Sequence, residues 1–309
     1  MKYATRINSF FRNDKNDLIE ILSEIAQVDG ITHVDLNYPE HFNSNSVDEI
    51  SSALKKNNLK LNGIAPRFRD EFINGEFTNS NVEISKKAIA ICKESIDVCR
   101  SLGGETVTIW LGFDGYDYPF QLNYSESWNK IVQAFQEICE YGSDLKISIE
   151  YKPYQPRVFS LISTFGDTMM LLNEVNRSNL GVTLDFCHMI MKGENPAFGL
   201  CLASEKNKLY GIHLNDGNKL NDDGLMVGTI NLPQTFEFLY YLKKSNYDDA
   251  IYFDTFPVRE NQVLECEANI EMVNKISKSI DELGIEEIQK AIDAKDAISV
   301  QKLLLKFIK

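Results

Sequence analysis

Short apolar runs alternate with amphipathic patterns along most of this 309-residue chain. Between the runs, apolar residues recur at a spacing of three to four, which is the spacing of one helix face. Asn13 and Asp14 predict the start of the first helix, and residues 82–102 predict a long one. The runs that predict strands cover residues 3–9, 31–39, 59–68, 106–112, 146–157, 180–188, 209–216 and 250–260. Regular alternation of strands and helices is typical of a parallel sheet.

The number of strands favours a closed (β/α)₈ TIM barrel over an open doubly wound sheet. No G-x-G-x-x-G motif follows any predicted strand, so the main reason for a dinucleotide-binding fold is missing. Barrels of this size are commonly one domain, and residues 1–279 are predicted to form it. Residues 280–309 carry two short amphipathic helical patterns. They predict a C-terminal helical extension that packs on the barrel or on a neighbouring subunit.

Four consecutive predicted strands in the second half of the chain end in side chains that can bind a metal ion. In chain order these are Glu150, Asp185, His213 and Asp254. The intervals between them are 35, 28 and 41 residues, close to the ~31 residues of one strand–helix unit in such a barrel. The strands of the barrel all point the same way, and its active site lies at their C-terminal ends. The four side chains are therefore expected to converge.

Three carboxylates with one imidazole suit a divalent ion of intermediate hardness, such as Mn²⁺, Co²⁺ or Mg²⁺. Zn²⁺ is also compatible, although the set contains no thiolate. A second ion is predicted from His188, Asp222 and Asp223, with Asp185 shared between the two sites. Lys152 lies two residues after Glu150 on the same side of the strand, where it could polarise a carbonyl oxygen.

Each of these positions also has a structural interpretation. An Asp or His at a strand end is more often a helix cap or a hydrogen-bonded loop residue, and Asp222–Asp223–Gly224 fits a plain turn. Asp216 could serve only to stabilise the turn at Gly217. The metal hypothesis rests on the whole set of ligand types at successive strand ends.

Charge and composition exclude several classes of protein. The net charge of −13 argues against a nucleic-acid-binding groove, which would need a basic face. Six cysteines without a C-x-x-C pair predict reduced core thiols rather than a disulfide framework. No stretch approaches the ~18 apolar residues of a membrane span, and the N-terminus lacks the apolar segment of a signal peptide. A cytoplasmic protein without membrane contact is expected.

Four motifs resemble the xylose isomerase-like TIM barrels, over roughly residues 100–260. They are IEYKPYQPR, LDFCH, HLNDG with the later DDG, and FDTFP. This superfamily includes xylose and rhamnose isomerases, keto-sugar 3-epimerases and the endonuclease IV group. E-x-K-P-x-x-P-R together with D-x-x-H favours the aldose–ketose isomerase branch. Asp185 and His213 are more similar to rhamnose isomerase, because xylose isomerase has carboxylates at those positions.

The resemblance implies an isomerase that uses divalent metal ions and shifts a hydride between two carbons of an open-chain sugar. It implies a structural ion on the four strand-end ligands and a catalytic ion near His188, Asp222 and Asp223. It also implies that Lys152 contacts O1 of the substrate. Neither His33 nor His41 matches the family's ring-opening histidine.

Three other functions fit the sequence less well. A keto-sugar 3-epimerase would use Glu150 and Asp254 as its acid and base on opposite faces of C3; the shorter Asp and the presence of Lys152 favour the isomerase. An endonuclease IV-like enzyme would need more histidine than the four residues present, and a basic face. A sugar-binding or scaffold barrel without activity would have no need of the intact ligand set.

The substrate is expected to be a small, unphosphorylated sugar, because no cluster of glycines with Lys or Arg marks a phosphate site. Its walls are predicted to include Trp110, Phe113, Arg67 and Tyr154, although Trp110 and Phe113 fit the barrel core equally well. A homo-oligomer is expected, as in many relatives of this fold.

Overall fold

The structure is a computed structural model that describes residues 1–12 and 17–307. The helix start predicted at Asn13 and Asp14 lies outside the described residues. The barrel strands are β1 (Lys2–Arg6), β2 (Ile31–Tyr38), β3 (Lys60–Pro66), β4 (Thr106–Ile109), β6 (Lys146–Glu150), β8 (Leu180–Asp185), β9 (Leu209–Leu214) and β10 (Ala250–Phe253). Two further strands, β5 (Gly115–Tyr116) and β7 (Phe159–Ser160), form a separate antiparallel pair.

The eight long strands close into one parallel barrel in the order β1-β10-β9-β8-β6-β4-β3-β2. The seam is the parallel pairing of β1 with β10, in which Thr5 lies opposite Phe253. The predicted single (β/α)₈ barrel is therefore confirmed. All eight predicted strands are present, with bounds a few residues shorter than the apolar runs.

Helices cover the outside of the barrel. In the described part of the chain they are α1 (Leu18–Ile25), α2 (Val47–Lys56), α3 (Val82–Ser101), α4 (Tyr124–Tyr141), α5 (Phe165–Val175), α6 (Phe186–Lys192), α7 (Pro196–Glu205), α8 (Leu232–Lys244), α9 (Gln262–Leu283), α10 (Ile285–Ala294) and α11 (Ala297–Phe307). Local sequence sets several of their starts. Ser46, for example, caps α2 in a reciprocal capping box with Glu49.

Alternation along the strands decides which side chains enter the barrel. On β8, Val182 and Leu184 are fully buried in the apolar core, whereas Thr183 faces Ser148 of β6 across 2.6 Å. Residues two apart on a strand share a face. Glu150 and Asp185 therefore extend the polar inner rows that Ser148 and Thr183 begin.

The last two helices pack back on the barrel. Ile288 and Ala291 of α10 are buried, and the ring of Phe307 lies 4.4 Å from that of Phe236 on α8. Helix α9 continues to Leu283, so the division of the chain at residue 280 stays a prediction. No helix within residues 1–12 and 17–307 is both long and apolar enough to cross a lipid bilayer.

Candidate active site

The four strand-end ligands meet at the C-terminal mouth of the barrel. One ligand atom from each of them lies within 4.8 Å of the others; the residues are Glu150, Asp185, His213 and Asp254. They follow or end β6, β8, β9 and β10, which are neighbours in the barrel. The convergence predicted from their spacing is therefore present in the structure. We call this group the ligand cluster.

Two buried atoms of the ligand cluster have no hydrogen-bond partner in the part of the chain that the structure describes, as expected of atoms that bind a cation. His213 Nδ1 and Asp254 Oδ1 are buried without a hydrogen-bond partner. The nearest charged neighbours are not in the alignment of a hydrogen bond: His213 Nδ1 lies 3.2 Å from Glu150 Oε1, and Asp254 Oδ1 lies 3.3 Å from Arg6 Nε. Buried polar atoms without partners are costly and rare in native proteins. A divalent ion would satisfy both atoms, and oxygen with imidazole is a donor set that such ions accept.

The charges of the cluster act strongly on one another. Burial by itself would raise the pKa of Glu150, but the positive charge of His213 outweighs it and lowers the pKa to about 2. Burial would lower the pKa of His213, but Glu150 raises it to about 10. Burial raises the pKa of Asp185 to about 7, and it also raises the pKa of Asp254 against the opposing charge of Arg6.

A second group of titratable side chains lies beside the cluster. Asp222 Oδ2 accepts a hydrogen bond from Lys152 Nζ at 2.9 Å and lies 3.3 Å from His188 Nε2. His188 Nδ1 lies 3.0 Å from the carbonyl of Tyr151, which can only accept, so Nδ1 carries a proton. His188 would therefore bind an ion through Nε2. Asp222 Oδ1 is buried without a partner, which leaves a second ligand atom free.

Lys152 is held where its charge can act on a substrate. Its residue is only 8% exposed, and Nζ lies 5.3 Å from the ring centre of Trp110, over its face. The Asp222 carboxylate and the indole face together fix the ammonium group beside the cluster. Trp110, predicted as a wall residue of the substrate site, therefore lies next to Lys152 and lines the same cavity.

One buried residue that the sequence did not single out orients the cluster. Asn215 Nδ2 donates to Asp185 Oδ2 at 3.0 Å and to the carbonyl of Asp254 at 3.1 Å. Its Oδ1 accepts from the backbone N–H of Cys187 at 2.8 Å. Asn215 thereby ties two of the ligand-bearing loops together. Asn215 lies two residues after His213, and residues two apart on a strand share a face. This spacing could have identified Asn215 from the sequence.

The loop after β9 places Asp222 and Asp223 differently. Asp216 is fully buried and accepts from the backbone N–H groups of Gly217, Ile230 and Asn231. Asp223 Oδ2 accepts from the backbone N–H of Asn218 at 2.7 Å. The interpretation of Asp216 as a turn residue fits these contacts. Asp223 serves the turn as well, and the structure does not bring it to the cavity as a ligand.

The cavity above the cluster has a volume of about 220 Å³, and we call it the cup. Arg67 and Trp110 line the cup, as predicted, together with Arg6, Asn8, Asn37 and Arg69. Two predicted wall residues do not line it. Phe113 packs against the hydrophobic core, and the hydroxyl of Tyr154 donates to the carbonyls of Lys219 and Leu220.

A larger cavity of about 530 Å³ lies at the opposite, N-terminal ends of the strands. Lys2, His33 and Lys60 line it, and Thr108 and His213 separate it from the cup. Barrel enzymes carry their chemistry at the C-terminal ends of the strands. The cup is therefore the candidate active site, even though it is the smaller cavity.

Comparisons with known proteins agree with this geometry. A family model described as xylose isomerase-like TIM barrel matches residues 23–276. Xylose isomerase from Thermus thermophilus is 26% identical over 221 residues, which are 69% of this chain and 57% of that protein. The chain spans little more than half the length of the Thermus xylose isomerases that it matches.

Two solved structures share the fold. A D-tagatose 3-epimerase-like protein has a TM-score of 0.70 at 20% identity, with 91% of this chain and 99% of that chain covered. The IOLI protein, solved with a bound zinc atom, has a TM-score of 0.65 at 20% identity, with 91% and 97% covered. At these identities the likeness shows the fold alone.

Proposed function

The chain belongs to the family of xylose isomerase-like TIM barrels, and we propose that it is a metal-dependent enzyme that interconverts an aldose and a ketose. The observation that carries the proposal is the position of Lys152. Its ammonium group lies in the cup, paired with Asp222, beside the ligand cluster. A cation at this place is suited to the oxygen on which negative charge develops during isomerisation.

Glu150, Asp185, His213 and Asp254 would hold one divalent ion, and His188 with Asp222 would contribute to a second. When bound, such ions supply Lewis acidity and a template for the sugar oxygens. The net change moves hydride from C2 to C1 of the aldose, while O2 loses a proton and O1 gains one. Lys152 donates a hydrogen bond to O1, and the buried walls exclude water from the migrating hydride.

A 3-epimerase of keto sugars is the second candidate, and one observation favours it. Glu150 and Asp254 both line the cup and both place a carboxylate oxygen in the ligand cluster. Two carboxyl groups at one cavity are suited to act as base and acid on a bound substrate. Abstraction of a proton from C3 and its return would not require an amine such as Lys152. The position of Lys152 therefore ranks isomerisation first.

Removal of the metal tests the proposal most directly. Dialysis against a chelator should abolish turnover of an aldose and ketose panel, and Mn²⁺ or Co²⁺ should restore it. Full activity of the chelated, metal-free protein would refute the metal mechanism.

Lys152→Met separates the two candidates. The variant should lose about 10²–10³-fold in isomerisation rate, the usual cost of one donor to a developing oxyanion, while its metal content stays intact. Lys146→Met is the control, because Lys146 begins the same strand and pairs with Asp249 away from the cup. Turnover in D₂O adds an independent readout: hydride shift incorporates little deuterium, whereas epimerisation incorporates it at C3.

A further inference from the structure

The three arginines that line the cup differ in their contacts. Arg6 Nε lies 3.3 Å from Asp254 Oδ1, and Arg69 pairs with Glu40. Arg67 makes no ion pair and no side-chain hydrogen bond within the described part of the chain, and its Nε is buried without an acceptor. A buried charged donor without an acceptor is costly. Arg67 as a whole is half-buried, and its buried Nε–H group is the donor that an acceptor on a bound ligand would satisfy.

A second donor lies on the same side of the cup. The backbone N–H of Asn37 donates to His41 Nδ1 at 3.0 Å, so the ring proton of neutral His41 is on Nε2. That proton is donated to Asn8 Oδ1 at 2.6 Å, and Asn37 Nδ2 donates to the same oxygen at 3.2 Å. These bonds fix the orientation of the Asn8 amide. Its NH₂ group is left without a protein acceptor among the described residues.

Asn8 and Arg67 are separated from Lys152 around the barrel. Lys152 follows β6, whereas Asn8 follows β1, which lies opposite β6 in the closed strand order, and Arg67 follows β3, two strands from β6. The cup, at about 220 Å³, is smaller than the ~300–1,000 Å³ of pockets for drug-sized ligands. A single open-chain sugar with its carbonyl end at Lys152 would therefore direct its other end toward Arg67.

We infer that the substrate is a sugar acid whose terminal carboxylate is bound by Arg67 and Asn8; this inference rests on the proposed function for the position of the reacting end. A guanidinium binds a carboxylate through two parallel hydrogen bonds. Since Arg6 and Arg69 are already paired, Arg67 supplies one net positive charge, which matches a carboxylate rather than a phosphate dianion. The remaining acid on this side, Asp35, accepts from Asn62 at 2.7 Å, and burial raises its pKa to about 7.

Binding can be tested without turnover. L-Gulonate is D-glucuronate reduced at C1, and D-glucitol is its neutral counterpart; L-galactonate and galactitol form a second pair. Calorimetry with the Mn²⁺-loaded protein should show at least one acid binding tenfold or more tightly than its alditol. Arg67→Met should remove about 10–100-fold of that affinity, and Arg67→Lys should remove less. Arg259→Met is the control, because Arg259 is exposed on the same face and does not line the cup.

The outcomes separate this inference from the proposed function. If the acids bind through Arg67 but neither an aldouronate nor a neutral aldose is isomerised by the Mn²⁺-loaded protein, the isomerase proposal fails and the carboxylate site stands. If no acid binds more tightly than its alditol, or if Arg259→Met loses as much affinity as Arg67→Met, the inference is overturned, whatever the activity on neutral aldoses. Tighter, Arg67-dependent binding of a sugar 6-phosphate would overturn the choice of a carboxylate.

Discussion

Asn215→Ala is expected to weaken metal binding through the ligand it orients. Asn215 is fully buried and does not belong to the ligand cluster. Its amide nitrogen donates to both carboxylate oxygens of Asp185, at 3.3 and 3.0 Å. Removal of the amide leaves the backbone N–H of His188 as the remaining hydrogen-bond donor to the Asp185 carboxylate, and it leaves the carbonyl of Asp254 and the N–H of Cys187 without this partner.

The size of the effect can be worked from these contacts. Hydrogen bonds to a charged group contribute about 1.5–3 kcal/mol, and a buried backbone group left unpaired costs about 1–3 kcal/mol. Together they predict a loss of about 2.5–6 kcal/mol in the free energy of unfolding of the metal-free protein. Loss of such an orienting partner typically lowers metal affinity about 10–100-fold.

Asn231→Ala is the matched control. Asn231 is also buried and donates to a carboxylate, Asp216 Oδ1, at 2.7 Å, and to the carbonyl of Gly217 at 2.8 Å. It should lower stability comparably and leave the Mn²⁺ dissociation constant within about twofold of wild type, because Asp216 is no part of the cluster.

The assay pairs urea unfolding in chelator with competitive titration of Mn²⁺ into the folded protein. An unchanged Mn²⁺ dissociation constant in Asn215→Ala would refute the reasoning. An equal loss of affinity in Asn231→Ala would refute it as well, because general loosening of the mouth would then explain both.

Three further predictions concern metal content, pH and a buried carboxylate, Asp114, in the loop after β4. His188→Asn should lower the occupancy of only one of two ions, measured by elemental analysis; one ion per chain in both proteins would contradict the second site. The metal-free protein should lose stability between pH 6.5 and 8.5, because the pKa of His213 rises on folding from 6.5 to about 10 and its contribution is complete only below 6.5. On the acid side, Glu150, lowered from 4.5 to about 2, contributes fully above 4.5 and less as the pH falls toward 2. Urea unfolding in chelator checks both, and a rise in stability from pH 6.5 to 8.5 would show the sign to be wrong. Asp114→Ala should cost about 3–5 kcal/mol of unfolding free energy, because this buried carboxylate accepts from the backbone N–H groups of residues 76–78; a loss below about 1 kcal/mol would exclude that anchoring role.

The sequence by itself determined the barrel and the place of the ligand cluster. Strand and helix periods are local properties, so apolar runs that alternate with helical patterns predict eight strands. Parallel strands then bring their C-terminal ends together whatever the details of packing. The convergence of Glu150, Asp185, His213 and Asp254 needed no more than this.

Only the tertiary structure decided the assignments that depend on loops. Asp222 and Asp223 are adjacent and chemically alike, yet one faces Lys152 and the other closes a turn. Loops have no repeating period, so the direction of a loop side chain depends on contacts from distant parts of the chain. The same holds for Arg67, whose Nε has no hydrogen-bond partner in the described chain. Whether a charged side chain finds a partner far along the chain can be judged only once the fold has brought the two together.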